Sequence, residues 1–222
     1  MNRFLGFLPI LFEGLIFTAF VLTLLIALPI KGSIKKSVIS SKIGGVLIER
    51  TQFVERQLNS IFGEAVNETL SFLTINSNPS SEERVDLGFT QAQLSEDEKA
   101  EETMLSLVNQ ERAKSNLSIL VSNSKLKEVA RVHAKDMFLR GYFSHYNPEG
   151  QSPFDRMNKS GIKYLAAGEN LALAPNVFLA HQGLMNSPGH RANILSSDFG
   201  KLGIGVIDGG IYGEMFVQEF TN

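Results

Sequence analysis

Between Gly14 and Ile30 the chain runs for 17 residues without a charge, GLIFTAFVLTLLIALPI. With Phe4–Phe12 ahead of it the apolar stretch covers 27 residues, broken only by Glu13. A helix over Gly14–Ile30 spans about 25 Å, close to the roughly 30 Å hydrocarbon core of a bilayer. A cleavable signal peptide is the rival reading. It calls for an apolar region of about 7–15 residues and a small-x-small cleavage site. This stretch is longer and ends in Leu28-Pro29-Ile30-Lys31. Residues 1–31 therefore read as a retained transmembrane anchor, with Glu13 placed near the interface or against another span. Lys31, Lys35, Lys36 and Lys42 follow the span and only Arg3 precedes it. The positive-inside rule alone would put the C-terminal side in the cytoplasm.

The remainder reads as a soluble protein. Residues 32–73 carry Ile34, Val38 and Ile39, then Val54, Leu58, Ile61 and Phe62 at helical spacing, which predicts short amphipathic helices beside the membrane. Residues 74–94 are polar, contain Pro79 and read as a linker. A domain is expected over 95–222. Ser95 and Glu98 fit a capping box, opening a helix to about Ser115. A second helix is expected from Ser124 to Arg140, stopped by Gly141. Ser152-Pro153 caps a third, to Gly161, and Asn176 caps a fourth, to Asn186. Ser187-Pro188 opens a short helical turn. Leu202–Ile207 and Tyr212–Phe220 read as a β-hairpin, and Gly168–Leu171 adds a strand. Helices followed by antiparallel strands predict an α+β fold, arranged as an α-β-α sandwich.

Charge and composition exclude several chemistries. The net charge is −2 and no segment is strongly basic, so nucleic acid is not an expected partner. The absence of cysteine excludes disulfides, iron–sulfur clusters and a thiol nucleophile. HExxH, P-loop, GxSxG and GxGxxG motifs are all missing. What remains is polar residues in tight settings: Phe143-Ser144-His145, Gly168-Glu169-Asn170 and Ser187-Pro188-Gly189-His190. Two imidazoles and a carboxylate, from His145, His190 and Glu169, can hold a zinc-like divalent ion with a water in the fourth position. Equally, Glu169 can orient a histidine as general base, or the histidines can be structural. Ser187 is either the cap of the turn begun by Pro188, which puts His190 at its third position, or a nucleophile served by His190. His133 reads as packing or surface, and His181 as solvated. Arg191 and Asn193 are expected to bond backbone around the turn.

Residues 99–220 resemble the CAP superfamily of cysteine-rich secretory, antigen 5 and plant pathogenesis-related proteins, in its bacterial, cysteine-free branch. The resemblance rests on Leu107–Arg112 (LVNQER), His133–Met137 (HAKDM) and Gly141–His145 (GYFSH). It continues through Ser152–Arg156 (SPFDR), Ala167–Ala172 (AGENLA), Met185–Leu195 (MNSPGHRANIL) and Phe216-Val217-Gln218. It implies the same α-β-α sandwich and a cleft with two His and two Glu that binds a divalent metal in some members. His145, Glu169 and His190 match three of those four. The fourth belongs to a Trp-x-x-Glu element, where this chain has Leu184 and Ser187. Glu219 supplies a second carboxylate only if its strand turns it into the cleft. Leu5–Ile43 resembles the last span of the colicin V production family. The resemblances imply a membrane-anchored CAP domain on the extracytoplasmic side of a bacterial envelope. It is expected to bind a lipid, cell-wall or protein ligand, the alternatives being a metal-assisted hydrolase or a toxin-production component.

Overall fold

Residues 84–222 are described by the structure, a computed structural model. The expected anchor over 1–31, the segment 32–73 and the resemblance over Leu5–Ile43 lie outside the described residues. No helix among the described residues is long and apolar enough to cross a membrane. In chain order the elements are β1 (Val85–Asp86), β2 (Ser95–Glu96), α1 (Glu98–Lys114), β3 (Val121–Ser122) and α2 (Ser124–Arg140). They continue with β4 (Tyr142–Phe143), α3 (Pro153–Lys159), β5 (Ala167–Ala174), α4 (Val177–Asn186) and α5 (Pro188–Ile194). The chain ends in β6 (Lys201–Asp208), a 3₁₀ turn (Gly210–Tyr212) and β7 (Glu214–Thr221).

Local chemistry accounts for most boundaries. Asn123 caps α2 by accepting from the Leu126 N–H, and Gly141, at φ 71°, ends it in the left-handed region. Ser152 and Asp155 form a reciprocal capping box on α3, with Pro153 at its first position. Asn176 caps α4 as expected. Two expectations are corrected. The cap of α1 is Asp97, which accepts from the Ala100 N–H, and not Ser95. Ser95-Glu96 is drawn off into β2, where it pairs with Asp208 and Ile207. Part of the expected linker also belongs to the domain. Val85-Asp86 pairs with Phe143-Tyr142, and Leu87 is buried against the core. The Gln91 side chain donates to the Gly209 carbonyl at 3.0 Å.

The central sheet runs β2-β6-β7-β5, all antiparallel, with β3 parallel to the start of β6. Cross-strand partners share a face, so the register sorts residues into two layers. Gly203 and Gly205 of β6 face α2. A Cβ on Gly203 would lie 2.2 Å from the Leu126 carbonyl carbon, and one on Gly205 would lie 2.3 Å from the Arg131 nitrogen. Only glycine admits the helix this close. Above them, Leu171, Leu173, Ile207, Met215 and Val217 pack on Ala130, Ala134, Met137 and Phe138 of α2. The other face carries α1, α4 and α5, with Gly168 turned toward Asn193 and Phe199. The α-β-α sandwich is thus observed for the described domain.

Arg112 of α1 locks that second layer. It is 1% exposed. Its guanidinium donates to the carbonyls of Ser118 (2.8 Å), Ile194 (2.9 Å), Ser196 (2.7 Å) and Phe199 (3.3 Å). These acceptors lie before β3 and on the segment from α5 to β6, so one side chain fixes where α5 ends. Arg112→Met keeps the apolar stem and strands several buried carbonyls. A loss of about 3 kcal/mol or more is expected, read as a lowered thermal midpoint of the full chain in detergent.

Candidate functional site

The α2 side of the sheet holds a buried polar cluster at the β5 edge. Glu169 enters from β5, His145 from the loop after β4, Arg156 from α3 and His133 from α2. The His145 Nδ1–H donates to Glu169 Oε1 at 2.7 Å. Arg156 Nη2 donates to Glu169 Oε2 at 2.6 Å. The same guanidinium donates from Nη1 to the carbonyls of His145 (2.9 Å) and Gln151 (3.1 Å), tying the loop to the helix. His133 Nε2–H donates to the Ser144 carbonyl at 2.9 Å. That bond puts the His133 proton on Nε2 and leaves Nδ1 a bare acceptor.

Electrostatics divide the carboxyls. Burial pushes the Glu169 carboxyl up, but the Arg156 charge, with the histidines, outweighs it and holds the group well below the usual carboxylate range. Glu169 is therefore ionised. Glu219 sits directly across from it in the β5–β7 register and is fully buried. Burial first, and then the neighbouring Glu169 charge, push its carboxyl well above the usual range. Glu219 accordingly holds a proton beside a carboxylate. Burial lowers His133 to about 4, so that ring is neutral.

The β5–β7 register places Glu219 on the same side of the sheet as Glu169. Ser187 is half-buried at the junction of α4 and α5. It occupies the N-cap position, yet its side chain makes no capping bond, which corrects the expected hydroxyl cap. His190 takes the third position of α5, as expected, and is fully buried. Its carbonyl accepts from Asn170 Nδ2 at 3.1 Å. Asn170 also bonds Gln218 Oε1 (2.9 Å), and Asn193 Nδ2 reaches Asn170 Oδ1 (2.9 Å) and the Glu169 carbonyl (3.3 Å). Asn170 and Gln218 point to the opposite face from Glu169. The expected polar residues are thus split between the two sides of β5.

Both oxygens of Glu169 accept hydrogen bonds, one from His145 and one from Arg156. No group of three or more His, Asp or Glu among the described residues is placed to hold an ion. His181 departs from expectation as well. It falls on the stripe Val177, Ala180, His181 and Leu184, which α4 buries, so it is core and not solvated. Arg191 is exposed, while Asn193 bonds backbone as expected. Arg156 escaped the sequence reading as a site residue, while His133 takes the packing alternative. Arg156 left one signal: a buried glutamate needs a cation, and the residue lies in a well-capped short helix.

The cluster also carries an unusual number of unpaired buried polar atoms. His133 Nδ1, His145 Nε2 and Arg156 Nε lack a hydrogen-bond partner among the described residues. Buried polar groups are normally satisfied. These unpaired atoms make the cluster the candidate functional site. It also generates a pH signature. Unfolded, Glu219 ionises near the ordinary 4.5; folded, it keeps its proton to higher pH. The folded state then binds the extra proton above that value, and stability falls as pH rises. Glu219→Gln removes this slope. Thermal midpoints of the two proteins should diverge in favour of the variant between about pH 5 and about pH 8. Parallel curves would show that Glu219 is ionised in the fold.

Residues 105–220 match the cysteine-rich secretory protein family, CAP. Among curated proteins the chain is 37% identical over 123 residues to the uncharacterized protein YkwD of Bacillus subtilis. It is 35% identical over 125 residues to the uncharacterized membrane protein YlbC of the same organism. Each match covers 54% of this chain, with 46% of YkwD and 35% of YlbC, so the chain spans less than half of these relatives. Among solved structures it is similar to an extracellular protein containing a SCP domain from Bacillus anthracis. That match has 33% identity and a TM-score of 0.51 over 56% of this chain and 40% of the other. An outer surface protein from Borrelia burgdorferi shares the fold at 22% identity, with a TM-score of 0.54 over 58% of this chain and 97% of the other. The matched motifs run in order through the sandwich just described, and the chain belongs to the cysteine-rich secretory protein (CAP) family.

Proposed function

We propose that the chain is a membrane-tethered CAP protein of the bacterial envelope. Its domain stands outside the membrane and binds a lipid, cell-wall or protein ligand without hydrolysing it. The observation that carries the binding reading is the state of Glu169. Its oxygens accept from His145 Nδ1 and Arg156 Nη2, and no group of three or more His, Asp or Glu among the described residues is placed to hold an ion. Ser187, the other residue weighed as a nucleophile, lies at the junction of α4 and α5 and makes no side-chain capping bond. The uncharged run Gly14–Ile30 supports the tether. Similarity to YlbC, named as a membrane protein, and to an extracellular SCP-domain protein supports the placement. A role in colicin V-type toxin production would reside in residues 5–43, and no observation on the described domain favours it.

Two measurements test this. Metal-stripped full chain in detergent, titrated with Zn²⁺ by calorimetry, should give the same heats as the His145→Ala/His190→Ala variant. Stoichiometric binding lost in the variant would restore the metal-assisted hydrolase. A periplasm-type reporter enzyme fused after Asn222 should be active, whereas activity of a cytoplasm-only reporter there would reverse the placement.

A further inference from the structure

We propose that one end of the central sheet, centred on Leu165, is a docking surface for an anionic lipid bilayer. The inference rests on the tethered reading above and adds to it the face that the domain turns to the membrane.

Leu165 is 96% exposed, yet it does not sit on a loose loop. Its N–H donates to Asn222 Oδ1 at 2.7 Å, and the Ala166 N–H donates to the same oxygen at 3.2 Å. Ile162 and Tyr164 before it and Ala167 after it pack down onto Leu126, Val129 and Met157. The chain therefore holds a large apolar side chain outward on a pinned backbone. Phe154, 44% exposed on α3, stands beside it, its ring 6.4 Å from that of Tyr164.

The strand register extends the surface. Ala167 pairs with Thr221, Thr221 with Lys201, and Lys201 with Val121. The exposed Val121 thus lies at the same end of the sheet as Leu165. Lys201 links them, donating to the Asn222 carbonyl at 2.8 Å. Lys159 and Lys163, both exposed, flank Leu165 from the end of α3 and the following loop. Of the acids nearest in the chain, Glu169 is buried and paired with Arg156, and Asp155 is held in the α3 capping box. Outward apolar and aromatic groups ringed by lysines are the chemistry of an interfacial contact with negatively charged headgroups. A protein partner's apolar pocket would not need three lysines around the rim, and a second copy of this face would set lysine against lysine.

The sequence contains no tryptophan, so a single Leu165→Trp substitution in the full chain gives a unique fluorescent reporter. The protein is reconstituted in vesicles of phosphatidylcholine alone or mixed with phosphatidylglycerol, with brominated acyl chains as quencher. With phosphatidylglycerol the introduced indole should shift to the blue and its emission should fall to about half. Adding Lys159→Glu and Lys163→Glu should abolish both changes. A Phe178→Trp control, just beyond the far end of β5, should be unaffected. An indole that stays solvent-like and unquenched, or that is quenched equally without anionic lipid, overturns the proposal. So does a blue shift that needs no lipid and grows with protein concentration, which would mean self-association. Flotation separates the two readings. A chain that floats with both vesicle types but is not quenched keeps its tether and loses the docking face. One that floats and is quenched only with phosphatidylglycerol loses the tether and keeps the face.

Discussion

The Glu169 carboxylate is the charge around which the described domain is organised. It comes from an edge strand, and its two oxygens are held by a histidine from a loop and an arginine from a short helix. Neither partner is adjacent to it in sequence. Burying a charge costs several kcal/mol unless it is well paired, so β5, the loop after β4 and α3 must arrive together. Arg156 adds two carbonyl bonds that set the loop carrying His145. Removing either partner would leave the buried anion only half paired. The arrangement therefore specifies one packing of these three elements.

The same constraint explains Glu219. A second carboxyl across the strand from an ionised one cannot also ionise cheaply. It keeps its proton, which turns an electrostatic conflict into a possible donor. Around it lie acceptors and donors without protein partners. That combination suits recognition of a polar group by hydrogen bonds. On the opposite face a separate amide chain, Asn193–Asn170–Gln218, ties α5 to the sheet, and Arg112 fixes where α5 ends. Two polar systems with different duties thus sit back to back across β5.

The segments whose structure is set by near neighbours were legible in the sequence. The ends of α2, the cap and proline of α3, the Asn176 cap and the two long strands follow from side chains a few residues away. His145 and Glu169 were grouped as candidates by residue type and by the resemblance, not by spacing, and the structure brings them into contact. The readings that failed did so where a distant element intervened. Ser95 lost its capping role because β6 offered it a ladder. Residues 85–91 resembled a linker until β4 and Gly209 supplied partners. His181 looked polar enough for solvent, but the stripe it shares with Leu184 was claimed by the core.

By itself, then, the sequence determined the helices and strands, the family, and an uncharged run long enough to span a membrane. These depend on periodicity and on contacts within a few residues, which a linear pattern contains. Tertiary structure alone decided that Glu219 faces Glu169, that Arg156 neutralises it, and that α5 packs on the other side of the strand. Those outcomes depend on strand register. A shift of one residue moves every side chain to the opposite face, and register is set by packing between elements far apart in the chain, as where Gly203 and Gly205 admit α2.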